Sequence, residues 1–172
     1  MRDVRVPASA LFGRVDHGLD LAQHFVHENR IRQAASSLGA AQFCINEAVA
    51  YANSRVTWGK KLSQNQGIQF PLVELHTEAA MLRQLIRSTA AAMDERHHME
   101  VTHLVAMCNY RANRLAYEAA DRAMQTCGGM GYSRHMPFEH IYRHHRRYRI
   151  TEGSEEIQMR KVAQQLFGFG RK

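Results

Sequence analysis

Apolar residues recur every three or four positions along three long stretches of the chain, a spacing that places them on one face of an α-helix. The first stretch begins near residue 14, the second near residue 65, and the third after a polar link at 94–100. The three apolar stripes are Ile31, Ala34, Leu38, Ala41, Ile45, Ala48 and Ala52; Ile68, Leu72, Leu75, Ala79, Leu82, Ile86, Thr89 and Met93; and Val101, Val105, Cys108, Ala112, Leu115 and Ala119. We therefore predict three long helices that bury these stripes in a common core, with Pro71 kinking or loosening the second.

Two shorter helices are predicted after the glycines at 128–131, which end the third helix. One of them begins at Met136-Pro137 and ends at about residue 145. Ser154 is a candidate N-cap for the other, which runs to about residue 167 with Glu155 and Glu156 in its first turn, where the helix dipole favours negative charge. Long amphipathic helices with short links predict an all-α, antiparallel up-and-down bundle.

Residues 1–12 differ in character from the helices. Asp3–Val6 alternates polar and apolar like a short strand, and Pro7 ends it. A single strand is not stable alone. We therefore predict an extended segment over 1–12 and a helical domain over 13–172.

Composition narrows the class of protein and of partner. The 172 residues are 45% hydrophobic and 23% charged, as in an ordinary globular domain. The net charge of +7 favours an anionic partner, and nucleic acid, a membrane surface and a phosphate-rich cofactor fit it equally. Three widely spaced cysteines indicate free thiols in a reducing compartment. No apolar run is long enough to span a membrane.

One carboxylate has the position of a candidate catalytic group. Glu152 lies on the loop just ahead of the last predicted helix, and Gly153 lets a ligand or backbone come close beside it. By spacing alone, such a residue is more often an ordinary loop glutamate. His140 and His144 are one helical turn apart, but no third ligand has a suitable spacing, so we do not predict a metal site.

Three motifs together resemble the C-terminal helical domain of the acyl-CoA dehydrogenase family. They are Tyr51-Ala-Asn-Ser-Arg-Val-Thr-Trp-Gly-Lys60, Gln125-Thr-Cys-Gly-Gly-Met-Gly-Tyr132 and Arg149-Ile-Thr-Glu-Gly-Ser-Glu-Glu-Ile-Gln158. Each motif alone is weak, but their order and spacing agree with the family over nearly the whole chain. The resemblance implies an FAD-dependent oxidoreductase of fatty acid metabolism that acts on acyl-CoA thioesters.

The resemblance also implies roles for individual residues near the substrate. Glu152 matches the base that removes the α-proton while the β-hydrogen leaves as hydride to FAD. Gly153 and Arg30 match residues beside the substrate, and Ser154 matches a hydroxyl that contacts FAD. Some branches of the family place the base on the first helix, but the residue there is Asn29, which cannot accept the proton, so Glu152 is the better candidate.

The remaining implied residues concern the cofactor. Arg55 and Thr57 match residues that reach the FAD pyrophosphate from a neighbouring subunit, and Gln66 matches a glutamine beside the cofactor. Gln125, Gly128 and Gly129 match its adenosine-diphosphate end. The implied assembly is a homodimer or homotetramer with a separate electron-transfer acceptor, in the bacterial cytoplasm or the mitochondrial matrix.

In the family, an N-terminal helical domain and a β domain precede this region. Residues 1–12 would then correspond to the last strand of that β domain. Met1 would be an internal methionine of a longer protein or a shortened start. The chain alone is expected to be inactive. Two positions depart from the family: His144 follows Arg143 where aspartate is usual, and Thr151 replaces an aromatic residue before the base. Two alternatives stay open: a non-catalytic helical oligomerisation module and, less favoured, a nucleic-acid binder using the basic run 143–149.

Overall fold

The computed structural model describes residues 2–170; Met1, Arg171 and Lys172, at the ends of the two predicted domains, lie outside the described residues. In chain order the elements are α1 Gly18–Ser54, β1 Val56–Thr57, β2 Lys60–Lys61, α2 Gln66–Glu95, α3 Thr102–Cys127, α4 Gly129–Tyr132, α5 Phe138–Arg146 and α6 Glu155–Phe167. Short 3-10 turns cover Ala8–Ala10, Leu62–Gln64 and Arg147–Arg149. The predicted all-α class is confirmed, with one small hairpin added.

Helix α3 runs parallel to α1, and α2 runs antiparallel to both. The backbone carbonyl of Arg30 accepts a hydrogen bond from Asn109, and the hydroxyl of Ser37 donates one to Asn113. Residue numbers therefore increase in the same direction along α1 and α3. On α2 the order is reversed, because Glu78 pairs with Arg111 whereas Thr89 accepts a bond from Cys108. The three long helices therefore form the predicted up-down-up arrangement.

The fourth position of the bundle is filled by α5 and α6 with a loop between them. Tyr142 on α5 donates to the hydroxyl of Tyr117, the carbonyl of Tyr148 accepts from Asn113, and Glu155 at the start of α6 binds Arg114. Between α5 and the loop, the contacted position on α3 falls from Tyr117 to Asn113. Farther along α6, Lys161 and Gln164 line a cavity with Thr102 and His103 at the start of α3. Residues 147–154 therefore interrupt a helix antiparallel to α3 and carry Glu152 at mid-bundle.

The predicted stripes form the core. Nearly all their members are buried, with Ile31, Ile68 and Met93 partly exposed. The three cysteines are free and buried. Burial, with a smaller contribution from Glu47, raises the pKa of the Cys44 thiol to about 12 and that of Cys127 to about 11, so both stay protonated at neutral pH.

Local departures from the expected elements are few. Helix α2 continues through Pro71 without interruption. The hairpin pairs Val56 with Lys61, and its two turn residues, Trp58 and Gly59, have φ of +52° and +77°, the type I′ pattern favoured in tight hairpins. No strand is assigned over Asp3–Val6, which has no second strand to pair with among residues 2–170. None of the helices in this part of the chain combines the length and apolarity needed to cross a membrane.

Candidate active site

The loop that carries Glu152 has a left-handed backbone that neighbouring side chains hold in place. Glu152 has φ of +59° and Gly153 φ of +95°. A non-glycine residue in this region costs about 1–3 kcal/mol and persists only where the surroundings enforce it. Arg30 donates to the Glu152 carbonyl from Nε at 2.9 Å and from Nη2 at 2.7 Å, and Gln158 Nε2 donates to the same oxygen and to that of Gly153, both at 3.1 Å. The loop is thereby fixed to both α1 and α6.

The left-handed φ at position 153 favours glycine, and the space there is also small. A Cβ would lie 3.1 Å from Nη2 of Arg30 and 3.3 Å from Nε2 of Gln158. These are the two side chains that hold the loop. A larger residue would therefore require both side chains to move by a few tenths of an ångström.

The carboxylate of Glu152 is half-buried and bonded through one oxygen. Its Oε1 accepts a hydrogen bond from Asn29 Nδ2. Its Oε2 accepts none from residues 2–170. Arg30, next to Asn29, is only 5% exposed, and burial lowers the pKa of its guanidinium, an effect that the charge of Glu152 opposes. The arrangement gives a fixed carboxylate with one oxygen available to accept a proton.

The first turn of α6 is anchored by an ionic cluster. Glu155, 8% exposed, accepts from Nε of Arg114 at 3.0 Å and from Nε and Nη2 of Arg149 at 2.9 and 2.7 Å. These bonds, that of Arg149 foremost, lower the pKa of the Glu155 carboxyl to about 2. The acidic first turn was expected to interact with the helix dipole, but two arginines also bind it. Arg149, part of the basic run, is therefore used within the fold.

A buried chain of polar groups connects α1, α3 and the end of α5. Asn109 Nδ2 donates to the carbonyl of Arg30 at 3.1 Å, and Asn113 Nδ2 donates to Asn109 Oδ1 at 3.2 Å and to the carbonyl of Tyr148 at 2.9 Å. Ser37 donates its hydroxyl proton to Asn113 Oδ1 at 2.7 Å, so Nδ1 of His145, 3.0 Å away, donates to Ser37. Burial is the main cause that lowers the pKa of His145 to about 4, which keeps this ring neutral at physiological pH.

Ser154 has the predicted N-cap position of α6, but its hydroxyl makes no capping hydrogen bond. Asn113 and the loop bonds of Arg30 and Gln158 hold this segment instead. The Ser154 hydroxyl is therefore not committed to capping. The fold brings Arg30 from α1 to the consecutive residues Glu152, Gly153 and Ser154.

The other predicted site residues lie at the far end of the bundle. Because α1 and α3 are parallel and α2 is antiparallel to them, the end of α1, the start of α2 and the end of α3 lie at one end. This end carries Arg55, Thr57, Gln66, Gln125, Gly128 and Gly129. The side chains of Arg55, Gln66 and Gln125 are exposed there and form no hydrogen bond with residues 2–170.

The two groups of predicted residues are far apart within the chain. Arg30 and Ser54 lie on the same continuous helix, so at about 1.5 Å per residue they are about 36 Å apart along its axis. The structure therefore places Arg30 beside Glu152, Gly153 and Ser154. It places the remaining predicted cofactor residues at the opposite end of the bundle, so Ser154 is separated from them.

Helix α5 and the turn after it are rich in histidine and arginine. Within residues 2–170, no group of three or more His, Cys, Asp or Glu side chains is arranged to hold a metal ion. The rings of His140 and His144 stack with centroids 5.9 Å apart, and the guanidinium of Arg147 lies 4.8 Å from the centroid of the Tyr148 ring.

Sequence reasoning missed the structural roles of Asn29, Gln158, Asn109 and Asn113. Asn29 was considered only as a residue that cannot act as a base. Asn109 and Asn113 are one helical turn apart beside an apolar stripe, and such polar pairs next to a core face are a usable indication of a buried network. Nothing local to Gln158 indicates that it turns back to the loop.

Comparison with known proteins agrees with this geometry. The family model for the acyl-CoA dehydrogenase C-terminal domain matches residues 16–167. The chain is 33% identical over 161 residues to a probable acyl-CoA dehydrogenase of Mycobacterium tuberculosis, covering 94% of the chain and 40% of that protein. It is 36% identical over 164 residues to the mitochondrial short-chain specific acyl-CoA dehydrogenase of Bos taurus, covering 95% and 39%.

A solved structure shows the same similarity in three dimensions. The glutaryl-coenzyme A dehydrogenase of a glutaryl-CoA complex superposes with a TM-score of 0.90 at 30% identity, covering 96% of the chain and 42% of that structure. The chain spans about two-fifths of the length of the relatives that it matches.

Proposed function

Because the chain belongs to the acyl-CoA dehydrogenase family and corresponds to its C-terminal domain, we propose that it forms part of an FAD-dependent enzyme that introduces an α,β double bond into acyl-CoA thioesters. The observation that carries the proposal is the left-handed loop at Glu152, held by Arg30 and Gln158. Backbone strain of this kind is retained where a side chain must be aimed, and here it aims a carboxylate.

Glu152 acts as the acceptor of the α-proton. Its Oε1 is bonded to Asn29, which leaves Oε2 to take the proton as the Cα–H bond breaks. A carboxylate held within hydrogen-bond reach of the acidic C–H group suits general-base catalysis. FAD, when bound, supplies the acceptor for the hydride that leaves the β-carbon. Arg30 and Gly153 keep the base fixed beside the substrate.

The far end of the bundle fits the phosphate-bearing part of a dinucleotide. Arg55 offers an exposed guanidinium, which binds phosphate through two parallel N–H bonds, and Thr57, Gln66 and Gln125 add polar groups nearby. A Cβ built on Gly128 or Gly129 would meet nothing within 4 Å, so a ligand can approach the backbone there. Ser154, with its uncommitted hydroxyl, would hold the cofactor near Glu152.

The separation of about 36 Å between Arg30 and the end of α1 supports a homo-oligomer. A chain whose phosphate-binding residues lie so far from its own base supplies them to a different active site. The hairpin tip, with Trp58 99% exposed next to Thr57, has the form of an element that inserts into a neighbouring subunit. We accordingly propose a homodimer or homotetramer in which Arg55 and Thr57 serve the cofactor of the neighbour.

The substrate and the physiological context follow from the same proposal. The substrate class is an acyl-CoA, and the complete enzyme would require a separate electron-transfer acceptor. The compartment is the bacterial cytoplasm or the mitochondrial matrix.

The test uses the complete protein that contains this chain, purified and analysed for bound flavin. Under anaerobic conditions, acyl-CoA thioesters of increasing chain length should bleach the flavin absorption, and in D₂O they should exchange their α-protons. A complete protein that binds no flavin would instead favour the non-catalytic helical module.

A further inference from the structure

The side chain of Asn29 is held in one orientation by its two neighbours. Arg32 Nη2 lies 2.5 Å from Asn29 Oδ1, and Asn29 Nδ2 lies against Glu152 Oε1. A guanidinium can only donate hydrogen bonds, and an ionised carboxylate can only accept them. The amide oxygen must therefore face Arg32 and the amide N–H must face Glu152.

We propose that Asn29 is a positioning residue that binds Oε1 of Glu152 and thereby makes Oε2 the atom that accepts the proton. This role rests on the proposed function of Glu152 as the base. Arg32 completes the arrangement by fixing the orientation of the amide.

The proposal follows from the symmetry of a carboxylate. Its two oxygens are equivalent, and rotation about the terminal bond exchanges them unless a partner distinguishes one. In the reaction the Cα–H bond breaks, its electron pair stays with the substrate, and a new O–H bond forms at Oε2. The hydrogen bond from Asn29 to Oε1 persists throughout, so the base does not need to reorient as it takes up the proton.

The other charged groups around the loop do not bind the Glu152 carboxylate. They are Arg30 and Arg32 on α1, Arg114 on α3, Arg149 within the loop, Glu155 at the start of α6 and Lys161 farther along α6. Burial is the main cause that lowers the pKa of the nearby His27 on α1 to about 4, so this ring is uncharged at neutral pH. Arg30 binds the carbonyl of Glu152, and Arg114 and Arg149 bind Glu155. Among residues 2–170, Asn29 is the one hydrogen-bond donor to the Glu152 carboxylate itself.

The first test measures the carboxylate without reference to activity. The ¹³C signal of the Glu152 carboxyl, assigned by its absence in Glu152→Gln, is recorded at neutral pH in the full chain. The chemical shift of a carboxylate carbon responds to hydrogen bonds at its oxygens, so Asn29→Leu, which removes the donor to Oε1, should move the signal. Asn29→Asp, which keeps the shape but lacks the donor, should also move it.

The controls separate this effect from a change in fold. Gln84→Leu makes a similar substitution at an exposed position of α2 and should leave the position of the signal unchanged. Thermal unfolding of each variant checks that the bundle is intact, and Asn29→Asp serves if Asn29→Leu does not fold. An unmoved carboxyl signal in a folded Asn29 variant overturns the proposal.

The second test uses the complete protein and α-proton exchange of an acyl-CoA in D₂O. For Asn29→Leu the exchange rate at saturating acyl-CoA should fall about tenfold, because an unrestrained carboxylate presents Oε2 to the substrate less often. The acyl-CoA concentration that gives half of this rate should stay the same. A loss that arises only from weaker acyl-CoA binding would mean that Asn29 does not position the base and would overturn the proposal. Absence of exchange in the unsubstituted protein would overturn the proposed function instead, and the carboxyl signal distinguishes that result.

Discussion

The guanidinium of Arg30 donates from both Nε and Nη2 to the backbone carbonyl of Glu152, at 2.9 and 2.7 Å. The carbonyl of Arg30 in turn accepts a bond from Asn109 at 3.1 Å. The loop is thus tied through one residue to the polar network in the core. This explains how a left-handed glutamate is kept at the break between α5 and α6.

Arg30→Lys should weaken this attachment. Lysine carries a single flexible ammonium and cannot make the two fixed bonds of the guanidinium. We expect a loss of about 1–3 kcal/mol in the free energy of unfolding, measured with urea, and at least a tenfold slower α-proton exchange in the complete protein. Arg87→Lys, at an exposed position on α2, is the control and should change neither quantity. A normal rate of α-proton exchange in Arg30→Lys would show that the loop keeps its position without the two hydrogen bonds from the Arg30 guanidinium.

Glu152→Gln should abolish most activity of the complete enzyme while its flavin stays bound. Glutamine has nearly the shape of glutamate but cannot take up a proton at neutral pH. Loss of a general base typically costs about two to four orders of magnitude in rate. Turnover is measured with a series of acyl-CoA substrates, and the flavin content of the purified variant is the control. If turnover is near normal, the base is another residue, and Glu28 on α1 is the next to substitute.

Glu155 should make the stability of the chain depend on pH below 5. Its pKa is lowered from 4.5 to about 2, chiefly by the hydrogen bond from Arg149 and then by that from Arg114. A carboxyl with a depressed folded-state pKa stabilises the fold above its unfolded value, and this stabilisation is lost as the pH falls towards 2. Glu155→Gln should therefore cost about 3 kcal/mol at pH 7 and progressively less between pH 5 and pH 2.

Urea unfolding of both proteins at a series of pH values measures this difference. Glu156→Gln alters the exposed neighbouring carboxylate and serves as the control, with little effect at any pH. A difference between Glu155→Gln and the parent chain that does not change with pH would rule out the ionic cluster as its origin.

The helices could be predicted because their apolar stripes are long and regular. The last helix was expected from Ser154 to about residue 167, and α6 runs from Glu155 to Phe167. The hairpin was not predicted, because its strands have only two residues each and a tryptophan takes a left-handed turn position where asparagine or glycine is usual.

Some residues of the candidate site could also be predicted from the sequence, whereas others could not. Glu152, Gly153 and Ser154 could be found because their motif resembles that of a family, and Arg30 because it follows the position where some branches of that family place the base. The structure brings Arg30 to the other three. Asn29 and Gln158 acquire their roles only through tertiary contacts, since Asn29 is 123 positions from its partner Glu152. No local pattern encodes such a contact. The packing of α1, α2 and α3, which places Arg55, Gln66 and Gln125 at the end of the bundle away from Glu152, is likewise a property of the whole bundle.

The groove between α1 and α2 should be covered in an oligomer. It encloses about 630 Å³ and is lined mainly by apolar residues, among them Ile45, Leu72 and the exposed Val49 and Val73. An exposed apolar surface of this kind commonly marks an interface. Light scattering at micromolar concentration should show an oligomer, and Val73→Asp should shift it towards the monomer. Thr77→Asp, one turn away on the same helix, is the control, and a monomeric parent chain would contradict the prediction.

The 172-residue chain by itself should fold but not catalyse. Its three long stripes bury one another, which accounts for folding. The cofactor residues, in contrast, lie on an exposed surface about 36 Å from the position of Arg30 along α1, and a ligand bound on one side buries much less surface than one in a closed cleft. Apolar residues near the N-terminus, such as Phe12, Val15 and Leu19, are also exposed, as expected for a surface that another domain covers.

The assay adds FAD, an acyl-CoA and an artificial electron acceptor to the purified chain, with Glu152→Gln as the matched control. Turnover above the flavin-only blank that is lost in Glu152→Gln would show that this domain carries a complete site, and the prediction would be wrong.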